Sequence, residues 1–203
     1  ESGISKTRFF FFFFLGELRQ IATASEAKTD GAIISLKQEL LVENILDAVS
    51  NDHRVLIFTN YLSVVDNICT KLDEYGIKNL SMTGKSSNRK EIVEEFQKNR
   101  DYKVLVMTLK TGGVGLNLTS ADMVFIYDPW WNKSAEMQAV DRAHRMGQDK
   151  TVFSYKFITR NSIEEKILML QQKKSELFQD IIKSDGTTVK MLTGEEIEYI
   201  LGE

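Results

Sequence analysis

Five short apolar runs, separated by stretches with helical spacing, constrain this chain more than any other feature. They are VLIF at 55–58, residues 79–82, VLVM at 104–107, MVFIY at 123–127 and VFSYKFI at 152–158. A strand wetted on one face alternates apolar and polar residues, whereas a strand covered on both faces is apolar almost throughout. The runs therefore predict an α/β fold, a parallel sheet with helices on both faces. Helices are expected at 36–49, with Leu36, Leu40, Ile45 and Val49 on one face, and at 63–75, stopped by Gly76 in a left-handed cap. Two more are expected at 88–99 and after Asn132, a good N-cap residue. Sheets of this kind carry their working loops at the carboxyl ends of the strands, here 59–63, 108–120 and 128–133.

The ends of the chain differ from this middle. Residues 1–34 form a lead-in, with a polar stretch from Thr23 to Gly31 expected as a loop; 35–160 hold the alternating pattern; and 161–203 are helical and amphipathic. Ser162 and Glu165 fit a capping box opening a helix at 163–183, and Thr193 and Glu196 fit another, opening a short helix that ends at Gly202. The Phe9–Phe14 run follows Lys6 and Arg8 like a signal peptide, but no small-residue cleavage site follows and Glu17 and Arg19 come at once. It is too short to span a bilayer and has no chemical role of its own; a helix buried on most sides is one reading, a segment of uncertain sequence the other. The start at Glu1 reads as that of a fragment.

Composition narrows the function. A chain of 203 residues, 42% hydrophobic, has enough material for one substantial core. A net charge of −3 excludes a globally basic nucleic-acid binder, so any such contact must come from a local patch or from backbone amides. A single cysteine, Cys69, excludes a disulfide framework, favours an intracellular compartment and suits a small buried apolar role.

Gly84-Lys85-Ser86 imitates the end of a phosphate-binding P-loop, but the pattern needs a glycine at 79, where this chain has Asn79. No acidic D-E-x-H tetrad for Mg²⁺ occurs either, and no metal site is expected. Two other segments carry more. The stretch from Thr108 to Thr119 follows a strand directly and holds Gly112, Gly113 and Gly115, which allow a backbone to approach a ligand closely. Thr108, Lys110, Thr111 and Asn117 add donors suited to phosphate oxygens. On a helix, Gln138, Arg142 and Arg145 would line one face, with Gly147 ending it, and two arginines one turn apart suit a transferring phosphoryl group. Alone, each has a plainer reading: a tight turn, and a solvated face with an Asp141–Arg145 pair.

Together the segments resemble the SWI/SNF family of superfamily 2 helicase-like ATPases. The resemblance is carried by VLIFTNY (55–61), MTGKSSNR (82–89), VLVMTLKTGGVGLNLTSAD (104–122), DPWWN (128–132) and QAVDRAHRMGQ (138–148), and spans about 17–180. It implies the second, C-terminal RecA-like lobe of a two-lobe motor, with a C-terminal helical extension that braces the lobes. ATP and Mg²⁺ would be held mainly by the N-terminal RecA-like lobe of the same protein, leaving this chain alone inactive. Arg142 and Arg145 match the arginine fingers, oriented by Asp141, and Gln138 and Gly113, with Gly115 beside it, the nucleotide interface. Thr108, Lys110, Thr111 and Asn117, with Thr59 and Asn60, match positions along the DNA track. Trp130 and Trp131 are expected as packing anchors and His144 as a neutral structural histidine. One departure is Lys133, where the family usually has proline; residues 1–16 match no family pattern.

The expected function is that of a motor lobe of an ATP-dependent double-stranded-DNA translocase, with duplex DNA as partner and no membrane. The compartment would be a bacterial cytoplasm or nucleoid, favoured by the compact lobe, or a nucleus. Two alternatives stand beside it: a strand-separating helicase lobe, against which the DRAHRMGQ ending argues, and a stand-alone, non-catalytic binding module.

Overall fold

The computed structural model describes residues 2–25, 29, 35–112, 115–145 and 148–182, with side chains described from Phe13 to Ser175. Twelve elements follow in order: α1 (Ser2–Thr23), α2 (Leu36–Ser50), β1 (Val55–Thr59), α3 (Leu62–Glu74), β2 (Asn79–Met82), α4 (Arg89–Lys98), β3 (Val104–Thr108), α5 (Leu109–Gly112), β4 (Met123–Ile126), α6 (Lys133–Val140), β5 (Phe153–Lys156) and α7 (Ile163–Ile182). The five strands form one sheet in the order β2-β3-β1-β4-β5, and every pairing is parallel. The helix proposed to end at Gly202 lies outside the described residues.

Alternation along the central strands divides the core in two. Val55, Ile57, Val104, Val106, Phe125 and Tyr127 point to one face, where Leu41 and Ile45 of α2 and Val65, Ile68 and Leu72 of α3 cover them. Leu56, Phe58, Leu105, Met107, Val124 and Ile126 point to the other, beneath Phe96 of α4 and Ala139 of α6. Both faces of β1 and β3 are therefore dry, which is why their sequences show no polar alternation. The cover does not reach β5: all four of its residues are exposed, so two-faced burial fails at this edge.

Capping follows the sequence closely. Ser35 accepts from the Gln38 N–H at 3.3 Å to open α2, and Asn132 accepts from the Ser134 N–H at 3.0 Å to open α6. Gly76 sits at φ +68 after α3, and the Ile77 N–H donates to the Leu72 carbonyl at 2.9 Å across it, a Schellman closure with both side chains buried. Ser162 caps α7 through the Glu164 N–H at 3.1 Å, while Glu165 reaches the Asn161 N–H rather than that of Ser162.

Three expectations need correction. On α2, Leu36 and Leu40 are 77% and 51% exposed, and Gln38, Leu41, Val42, Ile45 and Ala48 face the core. At about 100° per residue, Leu40 stands about 140° and Leu36 about 180° around the helix from Ile45, so both leucines turn away from the core. The Thr23–Gly31 stretch is helical at its first residue, which ends α1. Phe13 and Phe14 of the phenylalanine run are 56% and 61% exposed, stacked edge to face at 6.0 Å, so the run is not buried there. Further along α1, Leu15 packs with Ile163, Ile167 and Leu170 of α7 in a third cluster that also takes in Ala22 and Trp131. Cys69 is half-buried against the core, and burial pushes its thiol up to about 12, as suits a packing residue.

Candidate functional site

The carboxyl ends of β1 and β3 lie side by side, with Thr59 and Thr108 as register partners. Thr59 is fully buried and its hydroxyl donates to Asp128 Oδ1 at 2.5 Å. The Asn60 backbone N–H donates to the same oxygen at 3.0 Å, and its side-chain amide donates to Asp128 Oδ2. Asp128, just beyond β4, is itself fully buried and so ties the loop after β1 to the loop after β4. A third element reaches this hub from α1. Arg19 donates to the Pro129 carbonyl at 2.9 Å, lies 3.6 Å from Asp128, and is caged by the rings of Tyr61, Trp130 and Trp131 at 5.8, 4.9 and 5.5 Å. Burial raises the Tyr61 hydroxyl to about 12, Arg19 working against the rise.

The glycine-rich segment is not an open loop throughout. Its first turn, Leu109–Gly112, is helical, continuing straight from β3. The Thr108 and Thr111 hydroxyls, both buried, meet at 2.6 Å and tie that turn to the strand end. Lys110 stands exposed between them, as does Asn117 further on. Gly115 adopts φ +40, and no atom lies within 4 Å of where a Cβ would be. Gly113 lies outside the described residues. At the far end, Gln97 of α4 donates to the Asn117 carbonyl at 2.9 Å and accepts from the Ser120 N–H at 2.9 Å, holding the segment's exit.

The arginine segment departs from the expected geometry. A helix carrying Gln138, Arg142 and Arg145 on one face was expected; α6 ends at Val140, and residues 141–145 are turns. After Val140 the Arg142 and Ala143 N–H groups bond only three residues back, to Ala139 and Val140, so the chain tightens into turns. The Arg142 carbonyl accepts from the Leu118 N–H at 3.0 Å, and the Ala143 carbonyl from the Gln148 side-chain amide at 3.2 Å. Within the turns, Arg142 is buried and Arg145 exposed, with Gln138 and Asp141 exposed beside them. The two arginines still act on one another: burial first and then the Arg145 charge lower the Arg142 pKa, and Asp141 opposes them. His144 is exposed, so it is not a core histidine. Gly147 lies outside the described residues.

The P-loop imitation is a closed turn. Thr83 and Ser86 bond each other, Arg89 donates to the Gly84 carbonyl at 2.8 Å, and the helix opens only at Arg89. Among the described residues no cluster of three or more His, Cys, Asp or Glu could hold a metal, and no helix is long and apolar enough to cross a membrane.

Sequence reasoning assigned no role to Asp128, Arg19, Gln97 or Gln148. Asp128 had a visible signal, a carboxylate at a strand's carboxyl end level with Thr59. Arg19 had none within α1, because its partners come from distant loops, Tyr61 after β1 and Asp128 to Trp131 after β4.

With this geometry in view, comparison with known proteins is specific. Residues 36–147 match the family described as helicase conserved C-terminal domain. An ATP-dependent helicase of Mycoplasma pneumoniae is 39% identical over 165 residues, 80% of this chain and 16% of the relative. The chromatin-remodeling ATPase INO80 of Schizosaccharomyces pombe is 40% identical over 161 residues, 78% of this chain and 10% of the relative. The chain thus spans at most about one sixth of the length of these curated relatives. The solved C-terminal part of the Fun30 ATPase domain superposes with a TM-score of 0.65 at 31% identity, covering 75% of this chain and 55% of that one. The chain belongs to the helicase conserved C-terminal domain family, in its SWI/SNF-type superfamily 2 branch.

Proposed function

We propose that this chain is the second motor lobe of an ATP-dependent double-stranded-DNA translocase. The observation that carries the reading is the turn at 141–145, which puts two electrostatically coupled arginines beside the exit of a glycine-rich segment at one end of a parallel sheet. Exposed Arg145 reaches across the cleft to the γ-phosphate held by the first lobe, and Arg142, held by its burial, sets the turn and adds its charge. Planar, permanently charged guanidinium groups suit the charge of a transferring phosphoryl group. Gln138 and Gly115 border the same interface.

The residues fit phosphate better than metal, since they are cationic and donor-rich and contain no acidic cluster. Mg²⁺ would enter with ATP on the first lobe, where it neutralises phosphate charge. On the DNA side, exposed Lys110 and Asn117 contact backbone phosphates. Thr59, Thr108 and Thr111 are buried, so they shape the track rather than touch it along their length, and Asn60 stands at its edge. Cleft closure engages the arginines; opening after hydrolysis lets the segment shift its grip by a step. The partners of this lobe are then duplex DNA and the first lobe, and the relatives' names fit an ATP-driven motor on DNA.

The test is ATP turnover by the full-length protein with duplex, single-stranded or no DNA, beside Arg145→Ala. Duplex should stimulate most, and the variant should lose about 10³-fold or more in turnover while still binding ATP. A loss of only about twofold would sink the finger assignment. Stimulation by single strands alone would favour a strand-separating helicase.

A further inference from the structure

Gln148 makes an unusual set of contacts for a residue just past the helicase family match, which ends at 147. Its side-chain amide nitrogen lies 2.9 Å from the Thr119 carbonyl, 2.8 Å from that of Ala121 and 3.2 Å from that of Ala143. Two N–H groups are thus shared among three carbonyls, two on the glycine-segment exit and one between Arg142 and Arg145. Its side-chain oxygen accepts from the Lys150 N–H at 3.0 Å, and its own N–H donates to the Arg145 carbonyl at 3.0 Å. Both ends of the side chain and its backbone are therefore committed.

A second thread runs alongside. The Leu118 N–H donates to the Arg142 carbonyl, and Leu118, Ala121 and Ala143 are all fully buried in one core cluster. The turn keeps local bonds of its own, from the Asp141 N–H to the Met137 carbonyl and from the Arg142, Ala143 and His144 N–H groups to the carbonyls of Ala139 and Val140. The bonds from Leu118 and Gln148 add an anchor from the other segment.

We infer that Gln148 is a positioning residue that clasps the Arg142–Arg145 turn to the exit of the glycine-rich segment, so that the arginines take their place only when that segment is in register. The inference rests on the motor-lobe reading above. The residue touches neither nucleotide nor DNA in this role. Its effect passes through two backbone turns that share its amide. A displacement of the glycine-rich segment on DNA would pull on the same three carbonyls that fix the arginines, which gives DNA engagement a direct route to the cleft.

Gln148→Met keeps length and volume and removes both donors; Gln148→Asn keeps the amide but shortens its reach. In the full-length protein with saturating duplex DNA, Gln148→Met should lower kcat about tenfold or more and leave KM for ATP within about twofold, the signature of an interaction made in the transition state. Inhibition by ADP–aluminium fluoride should weaken by the same factor as kcat, and Gln148→Asn should fall between. A kcat within about twofold of wild type overturns the inference, as does a rise in KM without loss of kcat. Loss of the cooperative melt in both variants also overturns it, since the clasp would then be part of the fold alone. Arg145→Ala in the same assay separates the two ideas. If Arg145→Ala is inactive and Gln148→Met normal, only the clasp fails; if Arg145→Ala is active, the finger reading fails.

Discussion

The guanidinium of Arg19 lies 4.9 Å from the centroid of the Trp130 ring while it donates to the carbonyl of Pro129, the residue before that tryptophan. One side chain of α1 thus holds both the backbone and the ring of the loop after β4. It also faces Asp128, which in turn fixes Thr59 and Asn60 after β1. Two loops that meet at the candidate site are ordered by a helix outside the matched family segment.

Arg19→Ala should therefore destabilise the chain by about 3 kcal/mol, because it leaves a buried carboxylate without its cation and empties an aromatic cage. Arg19→Lys should recover only part of this, since an ammonium cannot stack flat on the rings and bond the carbonyl together. Urea unfolding of the three proteins checks it. A lysine variant as stable as the parent would mean that charge alone matters and the cage does not.

What was legible in the sequence follows from the range of each interaction. The strands were legible because burial on both faces leaves VLIF and VLVM apolar throughout, with threonine only at each carboxyl end. The stop at Gly76 and the caps at Asn132 and Ser162 were legible because caps are built from neighbours. The end of α6 was not. Nothing in KSAEMQAVDRAHR opposes a helix locally, and the bonds that Leu118 and Gln148 make to the Arg142 and Ala143 carbonyls come from outside it. The same holds for the α2 face, where counting apolar residues chose Leu36 and Leu40 and the sheet selected Gln38 and Leu41. The arginines could be named from their pattern, but their unequal exposure could not, since it comes from contacts made by another segment.

At the opposite end of the sheet, Asp122 offers a titration that can be followed by stability. Burial alone would raise its pKa, but bonds from the Arg54 N–H, His53 and Lys150 outweigh it and hold the carboxyl below its ordinary range. A depressed folded pKa adds stability above the unfolded value of about 3.9 and loses it as pH falls through the folded value. Asp122→Asn should cost about 1–3 kcal/mol at neutral pH. The gap should begin to close below about pH 4 and close fully once the pH has fallen through the depressed folded value, where the wild-type carboxyl also becomes neutral. Unfolding free energies measured across that range decide it, and a gap that stays constant would mean the charge of Asp122 contributes nothing.

Gly115 and Gly84 make a matched pair for the glycine-rich segment. Neither has any atom within 4 Å of a built Cβ, so space is equal at the two sites. Only Gly115 has a positive φ, +40, which L side chains adopt at a cost of about 1–2 kcal/mol. Gly115→Ala should lower stability by that amount, whereas Gly84→Ala should stay within about 0.5 kcal/mol of wild type. If Gly115 also shapes the nucleotide interface, its alanine variant should lose duplex-stimulated ATP turnover beyond what its stability explains. Melting curves and turnover on the same two preparations measure both effects. Equal destabilisation at the two positions would show that the backbone at Gly115 relaxes freely, and would remove the reason for glycine there.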